Sequence, residues 1–168
     1  MRFEAKVLTV SDSVHGGEAD DRSGDALSSR LAQAGFEVTA RRVVQDGVEP
    51  VSEAIRELTE GFAGLVVTTG GTGFSLRDLT PEATSAVLDR EAPGLAEAMR
   101  LANPLGRLSR AVAGTVGRSL VVNTPGSVSG ALECLDAILD VVPHALELLS
   151  GSNPHPHLTG SSHGTVGS

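Results

Sequence analysis

Between Thr68 and Ala83 the chain reads TTGGTGFSLRDLTPEA, and its residue types are those of phosphate chemistry. Gly70, Gly71 and Gly73 interleave with Thr69 and Thr72 directly after a short apolar run, Leu65-Val66-Val67. Glycine lets backbone come close to a ligand, and N–H groups left over in such a turn can point at phosphate oxygens. Arg77 and Asp78 follow, one cation suited to phosphate and one hard oxygen donor suited to magnesium. The loop is neither a Walker A sequence nor a GxGxxG fingerprint. Its alternative reading is a turn needed only for strand–helix packing, with Asp78 bonded to local N–H groups.

Four other stretches carry comparable groups. Asp46, in Gln45-Asp46-Gly47, offers a second carboxylate, although Asp-Gly is also a common turn pair. Two carboxylates on neighbouring loops could share one hard cation, with substrate oxygens and waters completing the octahedron. Pro125-Gly126-Ser127 precedes an apolar helical stretch and is either a second anion site or a plain strand-to-helix turn. Ser109 and Arg110, with Arg107, form a small basic cluster that could reach an anionic ligand. Ser11 and Asp12 either cap a turn or contact a nucleotide. The single cysteine, Cys134, reads as a small buried side chain, and His144 as a helix-end residue.

Positioning these groups requires a framework, and the periodicity supplies one. Ala5–Val10, residues 36–44 and Leu65–Thr69 read as strands, separated by helical patterns capped at Asp21 and opened at Pro50. Thr80-Pro81 opens a helix to about Asp89, with Thr80 as its cap, and another helix follows Pro93-Gly94. Val112–Val116 and residues 120–123 flank a tight turn at Gly117. A long apolar helical segment then runs to Leu149, broken at Pro143. This order predicts an α/β fold: a three-layer α/β/α sandwich with a mostly parallel sheet and one antiparallel strand. In such sheets ligands sit beyond the carboxyl ends of the strands, where Asp12, Asp46, the Thr69–Asp78 loop and the Pro125–Ser127 loop would converge.

Composition narrows the function classes. The chain has 168 residues, 40% of them hydrophobic, with four Phe and no Trp or Tyr. That suits one domain with an aliphatic core. The net charge is −8, and Lys6 is the only lysine beside twelve arginines. An acidic surface without stacking aromatics argues against nucleic acid as a partner. It also requires the arginines near the glycine loop to outweigh the global field locally. No apolar run reaches membrane-spanning length, so a cytoplasmic protein with no membrane partner is expected. Residues 1–151 read as one domain. Residues 152–168, rich in Gly, Ser, Pro and His, read as a flexible tail.

Six segments together resemble the molybdopterin adenylyltransferase family, the MoaB/Mog-type proteins and the gephyrin N-terminal domain. They are TVSDS at Thr9–Ser13, DRSGDAL at Asp21–Leu27, TTGGTGFSLRDLTPEAT at Thr68–Thr84, DREAPGLAEAMR at Asp89–Arg100, LSRAVAG at Leu108–Gly114 and VNTPGSVSGA at Val122–Ala131. The resemblance implies transfer of AMP from ATP to the terminal phosphate of molybdopterin, with pyrophosphate released. It also implies a homotrimer and a partner protein that later inserts molybdenum. By the same resemblance Asp46 and Asp78 are the catalytic, Mg2+-associated pair. The loops Thr69–Gly73 and Pro125–Ser127 hold ligand. The alternative on the same fold is a catalytically weak molybdopterin-binding scaffold.

Overall fold

The computed structural model describes residues 2–151 of the chain. The expectation of a tail at 152–168 lies outside the described residues. Six strands form one mixed sheet: β1 (Glu4–Val10), β2 (Glu37–Val44), β3 (Leu65–Thr69), β4 (Arg90–Glu91), β5 (Ala113–Val116) and β6 (Ser119–Thr124), in the order β2-β1-β3-β6-β5-β4. The pairs β1–β2, β1–β3 and β3–β6 are parallel, whereas β5 runs antiparallel to both β6 and β4. One strand is thus reversed, as expected from the hairpin at Gly117.

The helices are α1 (Asp12–His15), α2 (Arg22–Gln33), α3 (Val48–Thr59), α4 (Thr80–Ser85), α5 (Pro93–Leu101), α6 (Val128–Asp136) and α7 (Val142–Leu149), with a 3-10 turn at Pro104–Leu108. Strand alternation divides the core into two layers. Ala5, Val7, Leu65, Val67 and Val122 face Leu27 and Leu31 of α2, Met99 of α5, Leu135 of α6 and Leu146 of α7. Leu8, Val10, Val66 and Val121 face Val51, Ile55 and Leu58 of α3 and Ala83 of α4. Helices therefore cover both faces, which is why β3 is buried at all five positions and shows no polar alternation. The expected three-layer sandwich is borne out.

Several boundaries differ from expectation for local reasons. Helix α4 stops at Ser85, because the following chain pairs with the sheet edge: Asp89 N–H donates to Thr115 O and Ala92 N–H to Ala113 O, each at 2.8 Å. Thr80 is the first helical residue rather than the cap; Leu79 holds the cap position without a side-chain bond. The long C-terminal segment breaks before Pro143, not at it, so that the proline falls in the first turn of α7, where a missing N–H is harmless. Residues 12–15 form a single helical turn rather than open loop, capped by Ser11, whose Oγ accepts from Val14 N–H at 3.3 Å.

Candidate active site

The parallel register sets the site. Val10 lies opposite Val44, Thr9 opposite Thr69, and Thr69 opposite Thr124, so four strands end at one level. The chain leaves them as Ser11-Asp12, Asp46, Gly70-Gly71 and Pro125-Gly126-Ser127. The glycines after β3 are required by shape. Gly70 and Gly71 have φ of 100° and 69°, and a Cβ on Gly70 would stand 2.2 Å from the Val10 carbonyl oxygen. The Thr69 hydroxyl donates to Pro125 O at 2.9 Å, tying the glycine loop to the loop after β6. Ser127 caps α6 by accepting from Gly130 N–H at 3.2 Å.

Asp12 and Asp46 clasp each other: Asp12 N–H donates to Asp46 Oδ2, and Asp46 N–H to Asp12 Oδ1, each at 3.0 Å. Arg77 crosses to the same pair. Its Nε meets Asp12 Oδ2 at 2.5 Å, and its Nη2 meets Asp12 Oδ1 at 3.0 Å and Asp46 O at 3.1 Å. The Arg77 guanidinium holds the Asp12 carboxyl below its ordinary range. Burial pushes Asp46 the other way, and the carboxylates of Asp12 and Asp78 add to the rise against the opposing Asp12 N–H and Arg77. Asp78 folds back onto its own loop, its Oδ2 accepting from Ser75 N–H at 3.0 Å. Among the described residues Oδ1 of Asp46 and Oδ1 of Asp78 receive no hydrogen bond.

Arg110 serves the loop rather than open solvent. Its Nε donates to Gly73 O at 2.8 Å, its Nη2 to Asp78 O at 2.5 Å, and its Nη1 bonds the Glu82 carboxylate. Its backbone N–H also donates to Thr72 O at 2.9 Å. Arg77 and Arg110 are thus each paired with a carboxylate, and the local positive excess expected near the glycine loop is largely spent inside it. The N–H groups of Gly71, Thr72 and Gly73 have no hydrogen-bond acceptor among the described residues.

Two cavities open onto this edge. One, of about 450 Å³, runs under the 3-10 turn and is partly apolar, with Met99, Leu105, Leu108, Pro125 and Ser109 in its wall. The other, of about 500 Å³, is polar and lined by Ser11, Ser13, Asp20, Arg22, Ser23 and Asp46. Gly71, Asp78, Gly126 and Ser127 belong to both walls. The structure therefore brings Asp46 and Asp78 into the polar cavity, with Asp78 also in the wall that the two cavities share.

Residues 6–144 match the family model described as a probable molybdopterin binding domain. The chain belongs to that molybdopterin-binding family. It is 35% identical over 153 residues to the molybdopterin adenylyltransferase of Helicobacter pylori strain J99, covering 87% of each chain. The molybdopterin biosynthesis enzyme MoaB of Thermus thermophilus superposes with a TM-score of 0.83 at 47% identity, covering 89% of this chain and 97% of that one. The molybdopterin biosynthesis Mog protein of Mycobacterium ulcerans gives 0.83 at 41% identity over 90% and 99%. The resemblance read from the six segments is borne out.

Sequence reading missed several members of the site. Leu105 and Leu108 were not singled out, yet they wall the partly apolar cavity while 73% and 54% exposed. Their signal was a pair of large apolar side chains in a Pro/Gly-rich segment. Cys134 is half-buried and lines that cavity; burial pushes its thiol up to about 11, which keeps it neutral. Asn123 went unremarked. It is buried, and its amide donates to Thr68 Oγ1 at 2.9 Å and Thr84 Oγ1 at 3.0 Å while its oxygen accepts from Val112 N–H at 3.1 Å. No periodicity flags such a residue; only the fold shows that three segments meet there.

Proposed function

We propose that this protein is a molybdopterin adenylyltransferase acting in molybdenum cofactor biosynthesis, with residues 1–151 as its catalytic domain. A terminal phosphate oxygen of molybdopterin attacks the α-phosphorus of ATP. The bond from that phosphorus to the bridging oxygen breaks, and pyrophosphate leaves. The observation that carries this reading is the junction itself: Asp46 and Asp78 in one cavity, and Asp78 in the wall shared with the second. Two polyanionic substrates need two spaces that meet at a point of charge neutralisation.

The donor set fits magnesium. Asp46 and Asp78 each commit Oδ2 to a backbone N–H and keep Oδ1 open. Among the described residues no group of three or more His, Cys, Asp or Glu is arranged to hold a metal alone, so the protein would supply only part of the shell. Magnesium characteristically keeps waters and takes further ligands from substrate phosphates. When bound, it neutralises charge on the reacting phosphates. The burial that raises Asp46 is the desolvation a cation would offset. The remaining work falls to the chain: free N–H groups of Gly71 to Gly73 receive phosphate oxygens, and Arg77 holds Asp12 and Asp46 in register. The attacking phosphate is already ionised, so the reaction needs no general base.

The test is incubation of purified protein with molybdopterin, ATP and magnesium. Adenylated pterin and pyrophosphate should form in equal amounts. Absence of both rejects the enzyme, and tight pterin binding without turnover identifies a scaffold instead. The assembly proposed with this reading is a homotrimer. Support comes from exposed apolar side chains, Phe74, Leu76 and Leu101, that an assembly would cover. Light scattering should give three times 17.2 kDa, and a monomer mass would reject it.

A further inference from the structure

The start of α4 leaves one polar atom unsatisfied. Thr80 is 0% exposed, and among the described residues its hydroxyl makes no hydrogen bond. A hydroxyl buried without a partner destabilises the fold, and such groups tend to mark function or strain. Its location is specific. Thr80 Oγ1 lies 2.3 Å from the point where a Cβ on Gly71 would stand, and Asp46 Oδ1 lies 3.3 Å from that same point. A donor lacking an acceptor and an acceptor lacking a donor therefore flank a gap that only glycine leaves open.

The surroundings restrict what can fill the need. The Thr80 backbone is pinned, its N–H donating to Gly71 O at 3.1 Å and its carbonyl accepting from Thr84 Oγ1 at 2.8 Å. The hydroxyl is sealed from bulk solvent, so its partner must come from the groups that surround it. Asp46 is the less constrained partner: it is only partly buried, and of its carboxylate oxygens Oδ2 alone is bonded, to Asp12 N–H at 3.0 Å. A small turn of its carboxylate is the shortest route to satisfying both groups.

We propose that Thr80 is a positioning residue for Asp46: in the ligand-loaded site its hydroxyl donates directly to Asp46 Oδ1 across the gap over Gly71, fixing the carboxylate's aim toward the cation. A carboxylate oxygen has two lone pairs, so Oδ1 takes the hydroxyl on one and presents the other. This rests on the reading of Asp46 as a cation ligand. Groups that orient a ligand from behind change metal affinity by about 10–100-fold.

The experiment titrates Mn2+ into the full chain with ATP, followed by water proton relaxation, which separates protein-bound Mn2+ from Mn2+ on free ATP. The variants are Thr80→Val, Thr80→Ser, Asp46→Asn and the Asp46→Asn/Thr80→Val double. Thr80→Val should weaken Mn2+ about tenfold and Thr80→Ser by no more than about twofold. The double variant should bind no more weakly than Asp46→Asn alone. Melting without cation should place Thr80→Val at or above the parent, since a methyl replaces an unpartnered hydroxyl. Should that variant fail to fold, Thr80→Ala read against Thr80→Ser replaces it. Parent-like Mn2+ affinity in Thr80→Val, with Asp46→Asn weakened, overturns the proposal and leaves the cation reading intact. Equal weakening in Thr80→Ser, or further loss in the double, also overturns it. If the parent shows no saturable Mn2+ binding, or Asp46→Asn binds like the parent, the cation reading itself fails and this inference with it.

Discussion

Asp46 and Asp12 sit side by side yet are driven in opposite directions. Asp12 is lowered by the Arg77 guanidinium and is a structural anion that holds two loops together. Asp46 is raised by burial, with Asp12 and Asp78 adding to the rise. Burial and two like charges disfavour the ionised carboxylate here, and the proposed cation would offset that cost. Replacing either proposed ligand, as Asp46→Asn or Asp78→Asn, should lower turnover by roughly 10²-fold or more while the fold survives; full turnover at limiting magnesium would exclude that aspartate as a ligand. Stability should move the other way at Asp46. Its folded pKa lies above its unfolded value, so the folded state binds the proton more tightly, and stability falls as pH rises from the ordinary carboxylate range through the raised value. Without cation, Asp46→Asn should therefore melt above the parent at pH 7, since the amide oxygen still accepts from Asp12 N–H. That gain should vanish near pH 4, at about the ordinary aspartate pKa. A variant less stable than the parent at pH 7 would mean that the carboxylate stabilises the empty site.

The elements that aim these residues were legible to different degrees. Strands β1 and β3 were evident from apolar runs such as Leu65-Val66-Val67, β2 from the alternation of Val38 and Ala40 with Glu37 and Arg41, and the hairpin from Gly117. The convergence of Asp12, Asp46, the glycine loop and Ser127 followed from parallel order alone, since parallel strands end on one side. What stayed hidden is held by contacts far apart in sequence. Strand β4 is two residues long and exists because Asp89 and Ala92 find acceptors on β5. Arg110 looked like a free cation, yet it ties the segment before β5 to Gly73, Asp78 and Glu82. Truncation as Arg110→Ala should speed amide exchange across residues 72–79 and cut turnover without unfolding the sheet. Unchanged exchange there would show that the glycine turn holds its own shape. Asn123 joins β6 to β3, α4 and the Val112 segment, and Asn123→Ala would strand Thr68, Thr84 and Val112 groups in the core. Urea unfolding should show a loss of about 3 kcal/mol, the scale set by buried groups left unpaired. A loss below about 1 kcal/mol would mean that the neighbouring hydroxyls re-pair among themselves.

At the scale of the molecule, a chain of net charge −8 is proposed to join two polyanions. The sequence suggested that arginines near the glycine loop would reverse the field locally. Instead Arg77 is paired with Asp12, and Arg110 with Glu82, so neither offers an uncompensated charge. Apart from Arg22 in the wall of the polar cavity, attraction is left to backbone N–H groups and to the proposed cation, which act at contact range, while the surplus carboxylates repel from across the surface. These two ranges respond differently to salt. The Debye length is about 30 Å at 0.01 M and about 8 Å at 0.15 M, so added salt first removes the distant repulsion and leaves contact interactions largely intact. At fixed free magnesium, kcat/KM for the anionic substrates should therefore rise between about 0.01 M and 0.15 M ionic strength. It should fall only toward 1 M, where screening reaches about 3 Å and weakens the contacts themselves. Steady-state kinetics across a chloride series would measure this. A fall beginning at the lowest salt would mean that long-range attraction steers the substrates, and that a positive surface outside the Arg77 and Arg110 pairs draws them in.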